Sequence, residues 1–262
     1  MGILNPRSVA DNEFNAALFG GNILATRDQL GDSGTYDNVA ANLGLESIRY
    51  PGGSLTEHYF DLAAPDNDTV TDINSGQPIN FLPYSEFMTY AENTAKSVTI
   101  VLPTQKCLSL QVDANGDRYA QIDEETLSGF VKDTLNGIYG APAIRAFEIG
   151  HEYWGSGQMS SVEYGRVSSR MAEVVNDELS HQNGADSAFS DTDIVVQMGE
   201  NYNYARLNEE YNSYATEAEK IVALNDDYGL DLDQKILTPG GEISWPQLAK
   251  KFIINQFNTD SE

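Results

Sequence analysis

Short apolar runs rich in β-branched residues alternate along the chain with segments whose apolar positions recur every three to four residues. That alternation predicts a parallel α/β sheet. The first run covers Ala16 to Leu24. Tyr36, Val39, Ala40 and Leu43 then fall at helical spacing, and Gly44 sits where a helix C′ glycine belongs. Leu45 to Tyr50 forms the second strand and stops at Pro51-Gly52-Gly53. A long polar insertion with turn residues from Pro65 to Pro78 precedes a helix over Tyr84 to Ala95. The third strand is Ser97 to Leu102, and Leu108 to Ile122 reads as a hairpin folded over Asn115-Gly116, a type I′ signal.

Leu127, Phe130, Val131, Leu135 and Ile138 share one helix face, and Ala143 to Ile149 is the fourth strand, closed by Gly150. Ser160-x-x-Glu163 is a capping box, opening a helix whose apolar face carries Tyr164, Val167, Met171, Val174 and Val175. The fifth strand, Asp193 to Met198, ends at Gly199-Glu200. A polar helix around Glu209 to Leu224, a loop through Pro239-Gly240-Gly241 and a helix from Gln247 to Phe257 complete the pattern, with Lys235 to Leu237 a weak sixth strand. The Gly-Gly pairs at 20–21, 52–53 and 240–241 read as turns. Five strand-helix units without an internal linker predict one domain over 1–262.

Composition narrows the function classes. Forty acidic residues against 15 basic ones give a formal charge of −25. Only Arg206 is basic between Arg170 and Lys220, so no cationic stripe for nucleic acid or an anionic membrane is expected. Cys107 is the one cysteine, which excludes an internal disulfide or a thiolate metal cluster. No apolar run reaches the roughly 20 residues that span a bilayer. Met1 to Asn15 lacks the apolar region of a secretory signal. With the acidic composition, that predicts an extracellular protein exported without an N-terminal signal, the alternative being a cytoplasmic one.

In parallel α/β folds, functional side chains gather where strands end. Asn22 follows the first strand, Arg49 closes the second and Gln105 follows the third. His151, Glu152, Tyr153 and Trp154 follow the fourth strand, and Glu200 and Asn201 the fifth. Carboxylates, an amide, an imidazole and aromatics on one rim suit sugars, whose C–H faces stack on rings while hydroxyls bond polar groups. No glycine-rich phosphate loop with a lysine is present.

Ile149-Gly150-His151-Glu152-Tyr153-Trp154-Gly155 resembles the fourth-strand motif of clan A retaining glycoside hydrolases, and Ile48-Arg49-Tyr50-Pro51-Gly52-Gly53 is similar to their second-strand segment. The nearest likeness is to the arabinofuranosidase, β-xylosidase and β-glucuronidase branches. The resemblance implies a (β/α) TIM-barrel fold and a retaining reaction in which Glu152 is the general acid/base and Arg49 orients the nucleophile. His151 stands where the family usually has a sugar-binding asparagine, as in mannanase-like members. Gln105, Tyr153, Trp154, Glu200 and Asn201 are the further candidate substrate-binding residues. The family's nucleophile comes from the seventh strand. A whole barrel needs about 250 residues, but five units predict a partial barrel with a hairpin inserted after strand three and strands six to eight absent.

The expected function is hydrolysis of a glycosidic bond in a polysaccharide or oligosaccharide. The chain by itself is expected to be inactive or weak, because the nucleophile strand is missing. The alternative is a non-catalytic carbohydrate-binding or interaction module using the same rim. A partial barrel also implies self-association or further C-terminal domains. No cofactor is required. Asp113, Asn115, Asp117 and Glu124 match positions one, three, five and twelve of an EF-hand loop, but Arg118 stands where that loop needs glycine, so the hairpin is preferred over calcium.

Overall fold

In the computed structural model, residues 20–31, 34–182, 189, 191–197, 211 and 213–233 are described. Five parallel strands form the sheet: β1 (Gly20–Asn22), β2 (Ser47–Tyr50), β5 (Ser97–Leu102), β8 (Ile144–Ile149) and β9 (Asp193–Val196). Their spatial order, β1-β2-β5-β8-β9, follows chain order without a reversal. With the right-handed crossovers that parallel connections take, such an order sends every connecting helix to the same side. The connections carry α1 (Tyr36–Asn42), α2 (Leu55–Tyr59), α3 (Tyr84–Asn93), α4 (Glu124–Leu135) and α5 (Ser161–Gln182), with α6 (Glu217–Tyr228) after β9.

The two faces of the sheet differ sharply. Side chains alternate between faces along a strand. Ile48, Tyr50, Val98, Ile100, Leu102, Phe147 and Ile149 lie on one face and are all fully buried. Tyr50 anchors that core, stacking on Phe87 at 4.7 Å and packing against Phe60, Phe81 and Tyr84, while its hydroxyl donates to the Leu82 carbonyl at 2.6 Å. The opposite face carries Asn22, Arg49, Thr99, Glu148 and, just past β9, Gln197. Most parallel sheets are apolar and covered on both sides. Among the described residues, helices cover one side of this one, while the other carries that polar row beside the buried Val101 and Ala146.

Several predicted elements differ at their ends. The insertion after β2 holds α2 and a small hairpin, β3 (Thr69–Thr71) and β4 (Pro78–Asn80), neither of which has an apolar repeat long enough to read. The hairpin β6 (Leu108–Val112) and β7 (Arg118–Ala120) turns through three residues rather than a type I′ pair. Asp113 and Asp117 close it, and only Gly116 takes positive φ, at 84°. Asp113 Oδ1 accepts the amides of Asn115 and Asp117, which fixes that shape. Ile138 lies beyond the end of α4 and is exposed. The polar helix is Glu217–Tyr228, N-capped by Thr216 in a capping box with Glu219 and C-capped by Gly229, so it lies later than the expected 209–224. Gly20 and Gly21 are strand residues, not a turn, and a Cβ on Gly21 would meet Leu45 Cδ1 at 2.6 Å. Segments 16–19, 198–210, 235–237 and 239–257 lie outside the described residues, which takes in the expected sixth strand and last helix. No helix among the described residues is long and apolar enough to cross a membrane.

The β6–β7 hairpin is fastened to α5 by buried charge. Glu163 accepts the Arg118 guanidinium at 2.7 and 2.9 Å and the Arg118 amide at 2.9 Å. It also accepts the Ser160 amide at 2.9 Å, while Ser160 Oγ accepts the Glu163 amide, the predicted capping box in full. Burial alone would push the Glu163 carboxyl up. The hydrogen bonds from Arg118 and Ser160 outweigh it and hold the carboxyl below its ordinary 4.5.

Two glycines test this packing in opposite directions. Gly52 has φ of 90°, and a Cβ there would meet the Ile23 carbonyl oxygen at 2.1 Å. Gly52→Ala should therefore destabilise by about 3 kcal/mol or more, from left-handed strain plus a backbone clash. Gly129, inside α4 with open space where a Cβ would stand, should gain about 0.5–1 kcal/mol as Ala. Urea denaturation of both variants reads the signs. Glu163 sets an acid limb: a carboxyl held low in the fold stabilises above its unfolded value and loses that contribution as pH falls through the folded one. Stability should drop below about pH 4.5. Glu163→Gln should cost about 3–5 kcal/mol at pH 7 and flatten the drop, as denaturation midpoints from pH 7 to 3 would show.

Candidate functional site

The strand ends of the polar face converge on Arg49. It sits one residue before the end of β2, in register with Asn22 on β1 and Thr99 on β5. Thr99 and Val101 on the intervening strand are short, so the arginine reaches across β5 to β8. There Nε and Nη2 grip Glu148 at 2.6 and 2.8 Å, a bidentate pair. Nη1 donates to Asn22 Oδ1 at 3.1 Å, and Nη2 lies 3.2 Å from His151 Nδ1. Gln197 Nε2 completes the row with a 3.1 Å bond to Glu148 Oε1. One guanidinium thus ties β1, β2 and β8 together.

A second carboxylate fixes the loops above. Glu57 on α2 is buried, and its two oxygens accept four bonds: Thr104 N–H at 2.8 Å, Thr104 Oγ–H at 3.1 Å, Gln105 N–H at 2.8 Å and His151 N–H at 2.8 Å. It draws the turn after β5 onto the turn after β8. Gly150 allows this approach, since with φ of 75° a Cβ would meet Thr104 Oγ1 at 2.9 Å.

His151 and Glu152 stand beside this frame. Burial first, then the Arg49 charge, pushes the His151 imidazole below its ordinary 6.5, against the opposing pull of Glu152, Glu148 and Glu57. Its Nε2 is 3.9 Å from Glu152 Oε2. Glu152 takes φ of 45°, unusual for a residue with a side chain, and its side chain is 53% exposed. Functional sites are where such backbone strain tends to persist.

The other predicted residues are placed unequally. Tyr153 is buried, stacked on Tyr164 at 4.4 Å with its hydroxyl paired to Ser161, so it forms the wall behind the rim rather than its surface. Trp154 packs edge-on against Tyr153 and stays half-buried. Gln105 is half-buried and contributes its backbone to Glu57. Glu200 and Asn201 lie outside the described residues. The four residues of the calcium alternative are each engaged elsewhere: Asp113 with Arg166, Asn115 with the Asp227 carbonyl, Asp117 with Ser160 and Tyr228, and Glu124 with Arg170. Among the described residues no group of three or more His, Cys, Asp or Glu is arranged to hold a metal ion.

Glu57, Glu148 and Gln197 were not singled out by sequence. Glu148 left a trace, an acid inside the apolar run Ala143 to Ile149. Glu57 left none, since it lies in a polar insertion. A cavity of about 510 Å³ lined by Phe60, Leu62, Cys107 and Leu127 also reaches Glu57. Burial, then Glu57, pushes the Cys107 thiol up to about 12, which makes it an unreactive thiol.

No family model and no curated protein matches this chain.

The Arg49–Glu148 pair is exposed by 19% and 14%, between a surface and a buried ion pair. Arg49→Met should cost about 2–3 kcal/mol by leaving Glu148 without its cation. Pairing it with Glu148→Met should recover at least about 1 kcal/mol relative to the sum of the single changes. A double-mutant cycle by urea denaturation measures that coupling.

Proposed function

We propose that the sheet is an arc of a (β/α) barrel of retaining-glycosidase type, and that its polar strand-end rim takes a carbohydrate with Glu152 as the proton donor. The unreversed strand order supports the barrel reading, because a doubly wound sheet reverses direction and buries both faces. The observation that carries the functional reading is the row Arg49, His151, Glu152: the carboxyl stands beside an imidazole that itself touches the guanidinium, all at strand ends. An imidazole nitrogen and a carboxyl oxygen 3.9 Å apart are close enough for one hydroxyl at their side to bond both. Trp154 supplies the neighbouring ring.

Retaining hydrolysis also needs an ionised carboxylate about 5–5.5 Å from the acid, free to attack. Among the described residues the nearby carboxylates are committed: Glu148 to Arg49 and Gln197, and Glu57 to four donors. That commitment favours a second reading, in which the chain binds glycan without cleaving it. Polysaccharide or oligosaccharide is the ligand class in both, and the protein acts outside the cell in both.

Calorimetry against a panel of plant and algal oligosaccharides, with a reducing-sugar assay on the same panel, tests the proposal. Binding with little or no hydrolysis is expected, lost on Trp154→Ala and retained on Glu152→Gln. Turnover that Glu152→Gln reduces by about 10²–10⁴-fold would confirm Glu152 as the acid and show that a nucleophile is present. No binding to any glycan would end the carbohydrate reading.

A further inference from the structure

His151 is held at three points. Its amide donates to Glu57 Oε1 at 2.8 Å, its carbonyl accepts Ser156 Oγ at 2.7 Å, and its Nδ1 faces Arg49 Nη2 at 3.2 Å. A guanidinium has only donors, so Nδ1 must be the acceptor and the ring proton sits on Nε2. Protonating Nδ1 would place two cations in contact. The charged groups facing the ring are Arg49 from β2, Glu148 from β8, Glu57 from α2 and the adjacent Glu152. Nε2 lies 3.9 Å from Glu152 Oε2, too far for a direct hydrogen bond.

Glu57 is costly for so small a return in charge pairing. It is 2% exposed, forms no salt bridge among the described residues, and accepts four bonds that all come from neutral donors. Both oxygens are saturated, so it has no acceptor to offer a ligand. What it does is set where the His151 backbone lies relative to the Arg49 guanidinium. A shift of the turn after β8 by a fraction of an ångström would break the Nδ1 contact.

We propose that Glu57 is a positioning residue that, with Arg49, locks His151 as the neutral Nε2–H tautomer and so presents a fixed donor to a ligand oxygen that bridges His151 and Glu152 from the open side of the pair. Only the nature of that oxygen, a sugar hydroxyl, rests on the carbohydrate reading. The lock itself is a property of the free protein.

Long-range proton–nitrogen spectra of the ¹⁵N-labelled full chain test it without a ligand. The chain has three histidines, His58, His151 and His181, so His151→Gln assigns the signals. The wild-type ring should be a single Nε2–H tautomer at neutral pH, and an Nδ1–H ring would overturn the proposal. Glu57→Gln puts a donor either at the Oε1 position, facing the His151 amide, or at the Oε2 position, facing the Thr104 and Gln105 amides, so one anchor of the two turns is lost. It should bring in the Nδ1–H form at His151 while leaving His58 and His181 unchanged. Glu57→Asp keeps the charge but shortens the reach, and should loosen the tautomer as well. If Glu57 acts only through its charge, Glu57→Gln would lower the His151 midpoint further below 6.5 with the tautomer still pure, and Glu57→Asp would resemble wild type. Either result sinks the proposal. Should neither variant fold, amide exchange in the wild type decides: a His151 amide exchanging as fast as an exposed one overturns it. A glycan panel without binding, beside an intact tautomer lock, would remove the carbohydrate reading and leave the lock standing.

Discussion

An arginine and a glutamate joined across an intervening strand are what the polar side of this sheet depends on. A parallel strand interior to a sheet is ordinarily apolar on both faces, because helices cover both. Here the helices take one face, and the other carries Asn22, Arg49, Thr99, Glu148 and Gln197. Half-buried charge without a partner would cost several kcal/mol. The Arg49–Glu148 pair, with its forked geometry and short neighbours on β5, removes that cost and at the same time sets the spacing of β2 and β8. The rim inherits its shape from this pair.

Around it the molecule repeats one device, an acidic side chain collecting several donors from separate segments. Glu57 gathers the turns after β5 and β8, Glu163 gathers the hairpin and the start of α5, and Asp113 shapes the hairpin turn while holding Arg166. In a chain with 40 acidic and 15 basic residues, carboxylates must often be satisfied by backbone amides and hydroxyls instead of cations. That pattern lets loops be fixed without a disulfide. It also makes Glu163 and Asp113, both held below their ordinary values, sources of acid sensitivity in the fold.

What the sequence made legible was what periodicity and capping chemistry report. Ser97 to Leu102 and Ala143 to Ile149 were readable because each is a short stretch dominated by apolar residues that stops at a turn residue, Pro103 or Gly150. Gly44 and the Ser160–Glu163 box were readable because helix ends have stereochemical signatures. Arg49, His151 and Glu152 could be placed at strand ends because parallel topology fixes where strands stop. The faces of short loops were not legible. Tyr153 sits between two rim residues yet turns inward to stack on Tyr164, and no period of 2.0 or 3.6 applies in such a turn. Nor does a polar insertion reveal that one of its carboxylates, Glu57, is buried by contacts some 50 and 90 residues away in sequence.

The left-handed backbone at Glu152 follows from the same constraints. Gly150 must pass close to Thr104 for His151 to reach Glu57, and the next residues must bring the chain back so that Tyr153 can enter the core against Tyr164. Between the pinned backbone and the buried ring, Glu152 takes a left-handed conformation. Its φ of 45° turns the side chain away from the core and out beside the His151 ring. An exposed carboxyl next to a neutral donor is therefore a geometric consequence of burying Tyr153 and saturating Glu57. The exposure of Glu152 and the burial of its neighbour are one arrangement, and a change at either anchor should be felt at the carboxyl between them.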